Sequence, residues 1–193
     1  MEESKSCAYD YEHCERVWRR VAPQENPYPE ARAAEKGAPG ALLPARTRRD
    51  ECCMGAAAVQ SIEVLKGFVC EELAARQTYL SLARCVPSCH ARRVLCAMAA
   101  DEERHARQLS AAIYLATGEP YCPRVCAERT RGGGYCAVLR QLYHEETCGG
   151  CRYFRAGEET TDYCLEQMFS AMSQDEYRHA RQLMGLVSRA LRA

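Results

Sequence analysis

The chain has 193 residues, 47% of them hydrophobic, with 26 basic and 26 acidic side chains that give a formal net charge of zero. A chain of this size can bury one substantial core, which favours a single domain with some covering segment. The charges are mixed throughout, so there is no basic field to draw nucleic acid or anionic lipid, and no stretch approaches the ~20 apolar residues of a membrane span.

Residues 1–57 read as an irregular N-terminal arm with a short helix around 11–21. Prolines deny the arm a long helix, while Tyr9, Tyr11, Trp18 and Tyr28 offer rings for packing. The opening segment, MEESKSCAYDYE, is acidic and carries no apolar run. With no export signal, the expectation is a soluble, cytoplasmic protein with no membrane partner. The fourteen cysteines are scattered. In a reducing compartment they are expected to be free thiols used as small apolar fillers. Only one Cys-x-x-Cys pair exists, Cys148-Gly-Gly-Cys151, which argues against a four-cysteine metal module; it reads as a redox pair or as simple thiols, and its mid-helix position favours the latter.

Residues 58–193 read as four helices, with buried positions three and four apart. The first stripe runs Leu65, Phe68, Glu72, Ala75, Tyr79, Leu82 and the second Leu95, Met98, Glu102, His105, Leu109. The third runs Leu139, Leu142, Glu146, Gly149, Tyr153 and the fourth Phe169, Met172, Glu176, His179, Leu183. Pro87 is expected to open the second helix, and Gly118 with Pro120 to close it. Residues 157–162 form the corresponding turn of the second pair. Residues 118–134, with Pro120, Pro123 and three consecutive glycines, are long enough in extended form to run the length of a helix. The prediction is an all-α, ferritin-like four-helix bundle with one long crossover between helices 2 and 3.

The second hairpin repeats the first. Residues 101–109 read DEERHARQL and residues 175–183 read DEYRHARQL, and the same offset of 74 maps Glu72 onto Glu146 and Tyr79 onto Tyr153. Each half therefore carries a lone Glu, a Tyr seven residues on, and a Glu-x-x-His whose Glu lies 30 residues beyond the first. Residues three apart on a helix share a side, so Glu102 with His105, and Glu176 with His179, can each grip one ion. Glu72 and Glu146 supply the remaining carboxylates, although Glu71 and Glu145 are alternatives from sequence alone. Four ionised carboxylates in a bundle interior are intolerable unpaired, and two divalent cations cancel them. Carboxylate and imidazole suit iron, manganese or zinc.

Tyr79 and Tyr153 lie on the same stripes as donors to a ligand carboxylate or as plain core tyrosines. Asp101 and Asp175 either accept a histidine ring N–H across the bundle or face solvent. Arg104, Arg107, Arg178 and Arg181 read as solvated faces, and His13, His90 and His144 as surface or ordinary core residues. Gly149 and Gly150 each cost about 1 kcal/mol in a helix, and one turn after Glu146 they are expected to open a passage for an oxidant or to receive the arm.

Over about residues 59–192 these motifs, E72-LAARQT-Y79 with E102-ER-H105 and E146-TCGGCR-Y153 with E176-YR-H179, resemble the rubrerythrin branch of the ferritin-like superfamily. The resemblance implies a di-iron centre held by Glu72, Glu102, His105, Glu146, Glu176 and His179, supported by Tyr79, Tyr153, Asp101 and Asp175. Peroxide-reducing rubrerythrins usually carry a further carboxylate where this chain has Gly149 and Gly150. The rubredoxin-like module is missing, so the electron donor would be separate.

The expected activity is a di-iron oxidoreductase acting on O2 or hydrogen peroxide, as a homo-oligomer, in oxidative stress defence or iron oxidation. A non-enzymatic iron-storage protein, a two-manganese catalase-like protein and a structural bundle are the alternatives.

Overall fold

A computed structural model of the chain describes residues 53–123 and 133–192. Most of the arm, its expected helix at 11–21, His13, Cys126 and the middle of the 118–134 connection lie outside the described residues. The described part contains five helices and no β-strand: α1 (Ala56–Val59), α2 (Ile62–Cys85), α3 (Cys89–Thr117), α4 (Tyr135–Glu159) and α5 (Tyr163–Ala190). No described helix is long and apolar enough to cross a membrane.

Local chemistry sets the helix ends. Val86 is extended, as the residue before a proline tends to be, and α2 stops there. Pro87, expected to open α3, lies ahead of it. The cap is Ser88, whose hydroxyl accepts the Ala91 amide at 3.3 Å. α3 closes on Gly118, whose φ of 76° is a left-handed conformation that favours glycine, and its amide donates to the Tyr114 carbonyl. The second hairpin turns later than expected, because α4 continues through Gly157 to Glu159.

Asp162 then does two jobs at the start of α5. One carboxylate oxygen accepts the Leu165 amide at 2.9 Å as the cap, and the other accepts the Met54 amide at 2.6 Å. Beside it Cys53 and Cys164 form a disulfide across 111 residues. That bond overturns the expectation of free thiols at these two positions. The expectation of apolar fillers fails more widely: of the described thiols only Cys151 is buried, while Cys85, Cys89, Cys96 and Cys122 are exposed. Cys96 illustrates the reason, since it directly follows the fully buried Leu95 and so falls on the outer face of α3.

α2 packs on α3, and α4 on α5. Two apolar clusters form between them, each drawing on all four long helices. One contains Leu65, Phe68, Leu109, Ile113, Tyr153 and Phe169, and the other Tyr79, Leu95, Met98, Leu139, Leu142 and Leu183. Each full burial of such a side chain contributes about 1.5–3 kcal/mol. The polar stripe positions lie on the stretches of helix between these clusters, so a charged layer separates two greasy ones. Contacts across the layer fix direction. Tyr79 meets Glu146 while Tyr153 meets Glu72, and Asp101 meets His179 while Asp175 meets His105, so α2 runs antiparallel to α4 and α3 to α5.

A link closing so long a loop typically stabilises by about 2–4 kcal/mol, a melting shift of roughly 5–15 °C for a chain of this size. Cys164→Ser is expected to lower the melting temperature by that amount and to make it insensitive to reductant. Thermal melts with and without dithiothreitol check this, and equal melting of the oxidised and reduced wild type would count against a structural role for the bond.

Candidate metal centre

Six side chains converge in the polar layer, and none is more than 6% exposed: Glu72 from α2, Glu102 and His105 from α3, Glu146 from α4, Glu176 and His179 from α5. The two neighbours that sequence left open are settled by helix rotation. Glu71 is exposed and pairs with Arg152 at 3.0 Å, while Glu145 is exposed and accepts from Gln141 at 3.2 Å. Glu72 and Glu146 point inward.

The six make two overlapping groups. Glu72, Glu102, His105 and Glu176 have ligating atoms within 4.8 Å of one another, and so do Glu102, Glu146, Glu176 and His179. Glu102 and Glu176 belong to both. Glu102 divides its oxygens between the halves, with Oε2 3.4 Å from His105 Nδ1 and Oε1 3.1 Å from His179 Nδ1. Glu72 and Glu146 each belong to one group and hold one oxygen out of it. Tyr153 donates to Glu72 Oε1 and Tyr79 to Glu146 Oε1, leaving Glu72 Oε2 at 3.4 Å from His105 and Glu146 Oε2 at 3.3 Å from His179.

The histidines are oriented from behind. His105 Nε2 lies 3.0 Å from Asp175 Oδ2, and His179 Nε2 lies 3.2 Å from Asp101 Oδ2. A carboxylate only accepts, so Nε2 carries a proton, and Nδ1 is the nitrogen turned inward, a bare lone pair once the ring is neutral. The aspartates are held in turn by arginines. Arg104 bonds Asp101 and also Asp175 at 2.7 Å, while Arg178 bonds Asp101 at 3.0 Å and Asp175 at 2.5 Å. The expectation that Arg104 and Arg178 are mere solvated faces is therefore overturned. They are partly exposed, as predicted, but length lets the guanidinium reach back over the edge of the stripe. Arg107 is exposed, as is His90, and His144 is half-buried beside the Tyr143 ring.

The electrostatics show what the layer lacks. Burial and the neighbouring Glu146 push the Glu102 carboxyl up to about 7, and burial with three facing carboxylates pushes Glu176 well above its usual range. Burial disfavours the His179 imidazolium, yet Glu102 and Glu146 outweigh it and raise the ring to about 11, and His105 is raised likewise by Asp175 and the glutamates. Glu72 is lowered despite burial by the facing His105 and Glu102, and Asp175 is lowered despite burial by His105 and Arg178. Among the described residues seven buried polar side-chain atoms lack a hydrogen-bond partner. Six are Glu102 Oε1 and Oε2, Glu146 Oε2, Glu176 Oε1, His105 Nδ1 and His179 Nδ1. Unless protons fill the layer, lone pairs there face lone pairs, an arrangement that calls for cations. The donor set, carboxylate oxygen and imidazole nitrogen, fits divalent transition metals.

The space at the two glycines is not left open as a passage but is met by α5, and the alternative that they receive the arm falls outside the described residues. A Cβ on Gly149 would lie 2.8 Å from Glu176 Oε2, and one on Gly150 would lie 2.8 Å from the Tyr177 ring. Their missing side chains let α5 approach with its carboxylate and its phenol. Tyr177 is fully buried, and its hydroxyl lies 3.0 Å from Cys151 Sγ. Sequence reasoning did not single it out, since only its place beside Glu176 signalled it.

Gly149→Ala forces only the end of a flexible side chain to move, so metal-free stability should stay within about 1 kcal/mol of wild type while metal affinity falls. Gly150→Ala meets a buried ring and should lower stability. Chemical denaturation and metal titration separate the two effects.

Without metal, the raised Glu102, Glu176, His105 and His179 hold protons that the unfolded chain has released. The folded state then binds more protons, so metal-free stability falls as pH rises from about 5 to 9. Metal ions displace those protons, so the stabilisation they add should grow over the same range. Melts of chelator-treated and metal-loaded protein at pH 5.5, 7 and 8.5 check both signs, and metal stabilisation that shrank with rising pH would oppose this assignment. Comparison of the chain with protein-family models, curated proteins and solved structures finds no match, so the reading of function starts from this geometry.

Proposed function

We propose that residues 58–193 form a ferritin-like bundle of the rubrerythrin type that holds two metal ions, iron in the first instance, and acts as an oxidoreductase on O2 or hydrogen peroxide. The observation that carries this reading is the pair of overlapping buried groups sharing Glu102 and Glu176. Glu72 and His105 would complete the shell of one ion, and Glu146 and His179 that of the other. Topology supports the ferritin-like part. Tyr121 packs on one apolar cluster and Tyr135 on the other, so the two described ends of the connection between α3 and α4 lie at opposite ends of the bundle. A crossover of that kind, with α2 antiparallel to both α3 and α4, is the ferritin-like arrangement.

Two adjacent redox-active ions supply a two-electron change matched to reduction of a peroxide bond. The chain's own groups prepare that chemistry. Tyr79 and Tyr153 each tie down one terminal carboxylate, leaving a single oxygen of Glu146 and of Glu72 to face inward. Asp101 and Asp175 fix both histidine tautomers, and negative charge on these aspartates makes Nδ1 more basic. The two apolar clusters on either side keep bulk water away and strengthen every charge interaction in the layer. Four carboxylates balance two divalent ions, and oxidation by one electron each would be favoured by so anionic a shell. The absence of a further carboxylate at Gly149 and Gly150 leaves six protein ligands for the pair.

Anaerobic reconstitution followed by metal counting is the direct test, with two irons per chain expected and a carboxylate-bridged ferric absorption on adding oxidant. Glu102→Ala and Glu176→Ala should each abolish binding of both ions, whereas Glu72→Ala and Glu146→Ala should each weaken one site. Two manganese ions in protein purified without added metal would replace iron in this reading. A stoichiometry well below two in protein shown to be loaded would end it.

A further inference from the structure

The two halves of the chain match at the ligands and differ beside them. Arg76 and Glu103 form a part-exposed ion pair at 3.3 Å between α2 and α3. Seventy-four residues on, the same places hold Gly150 and Tyr177, while Ala74 and Gln77 become Cys148 and Cys151. A solvated ion pair in one half is thus replaced in the other by a buried phenol, bonded at 3.0 Å to a buried thiol. Both are groups that can give up electrons. Tyr177 directly follows Glu176, and Cys151 lies two residues from Gly149, the position against which the Glu176 carboxylate rests.

Cys148 is half-buried one helical turn before Cys151. Residues three apart on a helix have β-carbons about 5–6 Å apart, whereas a disulfide needs about 3.5–4.5 Å. The turn between them must therefore tighten by about 1–2 Å, and the two residues it spans are Gly149 and Gly150, which offer the least resistance to such a change.

We propose that Cys148 and Cys151 are a built-in dithiol that returns electrons to the metal pair, with Tyr177 as the relay between Cys151 and the Glu176 side of the centre. This rests on the two-metal reading. The two thiols lose two protons and two electrons and form one S–S bond, and two ferric ions become ferrous. With hydrogen peroxide as oxidant the O–O bond breaks and two waters form, so the net change is one peroxide and one dithiol to two waters and one disulfide. An external thiol, small or protein-borne, then restores the pair by exchange, attacking at Cys148 as the more accessible sulfur.

The test uses the full chain loaded anaerobically with iron, given one equivalent of hydrogen peroxide, quenched in acid, alkylated and read by peptide mass. The peptide containing Cys148 and Cys151 should lose two hydrogens at least about tenfold faster than in zinc-loaded protein, where only direct thiol oxidation operates. Tyr177→Phe should slow this step at least several-fold without changing its end point, and Cys151→Ser should leave ferric absorption standing after the peroxide is consumed. Cys148→Ser, at a half-buried position, gives the same readout should Cys151→Ser fold poorly. Iron-loaded protein that oxidises its metal while both thiols stay alkylatable, or equal rates with iron and zinc, would overturn the dithiol. A Tyr177→Phe rate equal to wild type would overturn the relay. A chain that takes up no metal pair fails earlier, at loading, and takes the underlying reading with it.

Discussion

Four carboxylates facing two imidazole lone pairs on the axis of a helical bundle are the constraint to which the rest of this protein answers. Left alone, such a layer can exist only by taking up protons, and that is the sense in which Glu102, Glu176, His105 and His179 are displaced from their ordinary ranges. Everything packed around the layer keeps those groups from escaping it. Two tyrosines bond the outer oxygens of Glu72 and Glu146, two aspartates hold the histidines from behind, and two arginines hold the aspartates. The tyrosine and aspartate contacts, and one contact of each arginine, join one half of the duplicated chain to the other, so the halves cannot separate without exposing the charge.

That reciprocity explains why so much was legible in the sequence. A ligand on a buried helical stripe must recur with the period of its helix, and a duplicated hairpin writes the pattern twice, so the four long helices and the inward groups could be read from spacing, apart from the choice between Glu71 and Glu72 and between Glu145 and Glu146. What spacing hides is anything decided by reach or by partners distant in sequence. Arg104 and Arg178 sit on the outer face by period, yet their side chains extend back to Asp101 and Asp175. Gly149 and Gly150 looked like an opening because sequence shows a missing side chain and not its neighbour, which is α5 at contact distance. Cys53 and Cys164 carry no mutual signal across 111 residues, and their meeting depends on how the segment before α1 crosses the start of α5. The short helix Ala56–Val59 is below the length at which periodicity says anything.

The departures from the repeat are as informative as the repeat. Selection for a packed hairpin alone would tolerate either an ion pair or an apolar contact beside the centre, and the first half uses the ion pair of Arg76 with Glu103. The second half instead gives up helix propensity twice in succession, at about 1 kcal/mol per glycine. What occupies the space is a fully buried tyrosine and a thiol. The part-exposed ion pair of the first half contributes at most about 1 kcal/mol, whereas the second half sets a buried phenol and thiol directly beside the layer.

The same layer sets a limit on how stable the fold can be without its ions. The two apolar clusters lie on either side of the polar layer, so the layer is the weakest section of the core. Filling it with leucines would remove the desolvation penalty and strengthen the bundle, as replacement of buried charges by packed apolar groups often does. A chain that keeps the charges therefore makes its stability conditional on whatever binds them, because any ion that binds the folded state and not the unfolded one adds its binding free energy to folding. Loss of ligand geometry and loss of fold are then coupled through one site. Residues outside the six inward groups, such as Asp101 and Arg178, act on both by holding the histidines where a cation could use them.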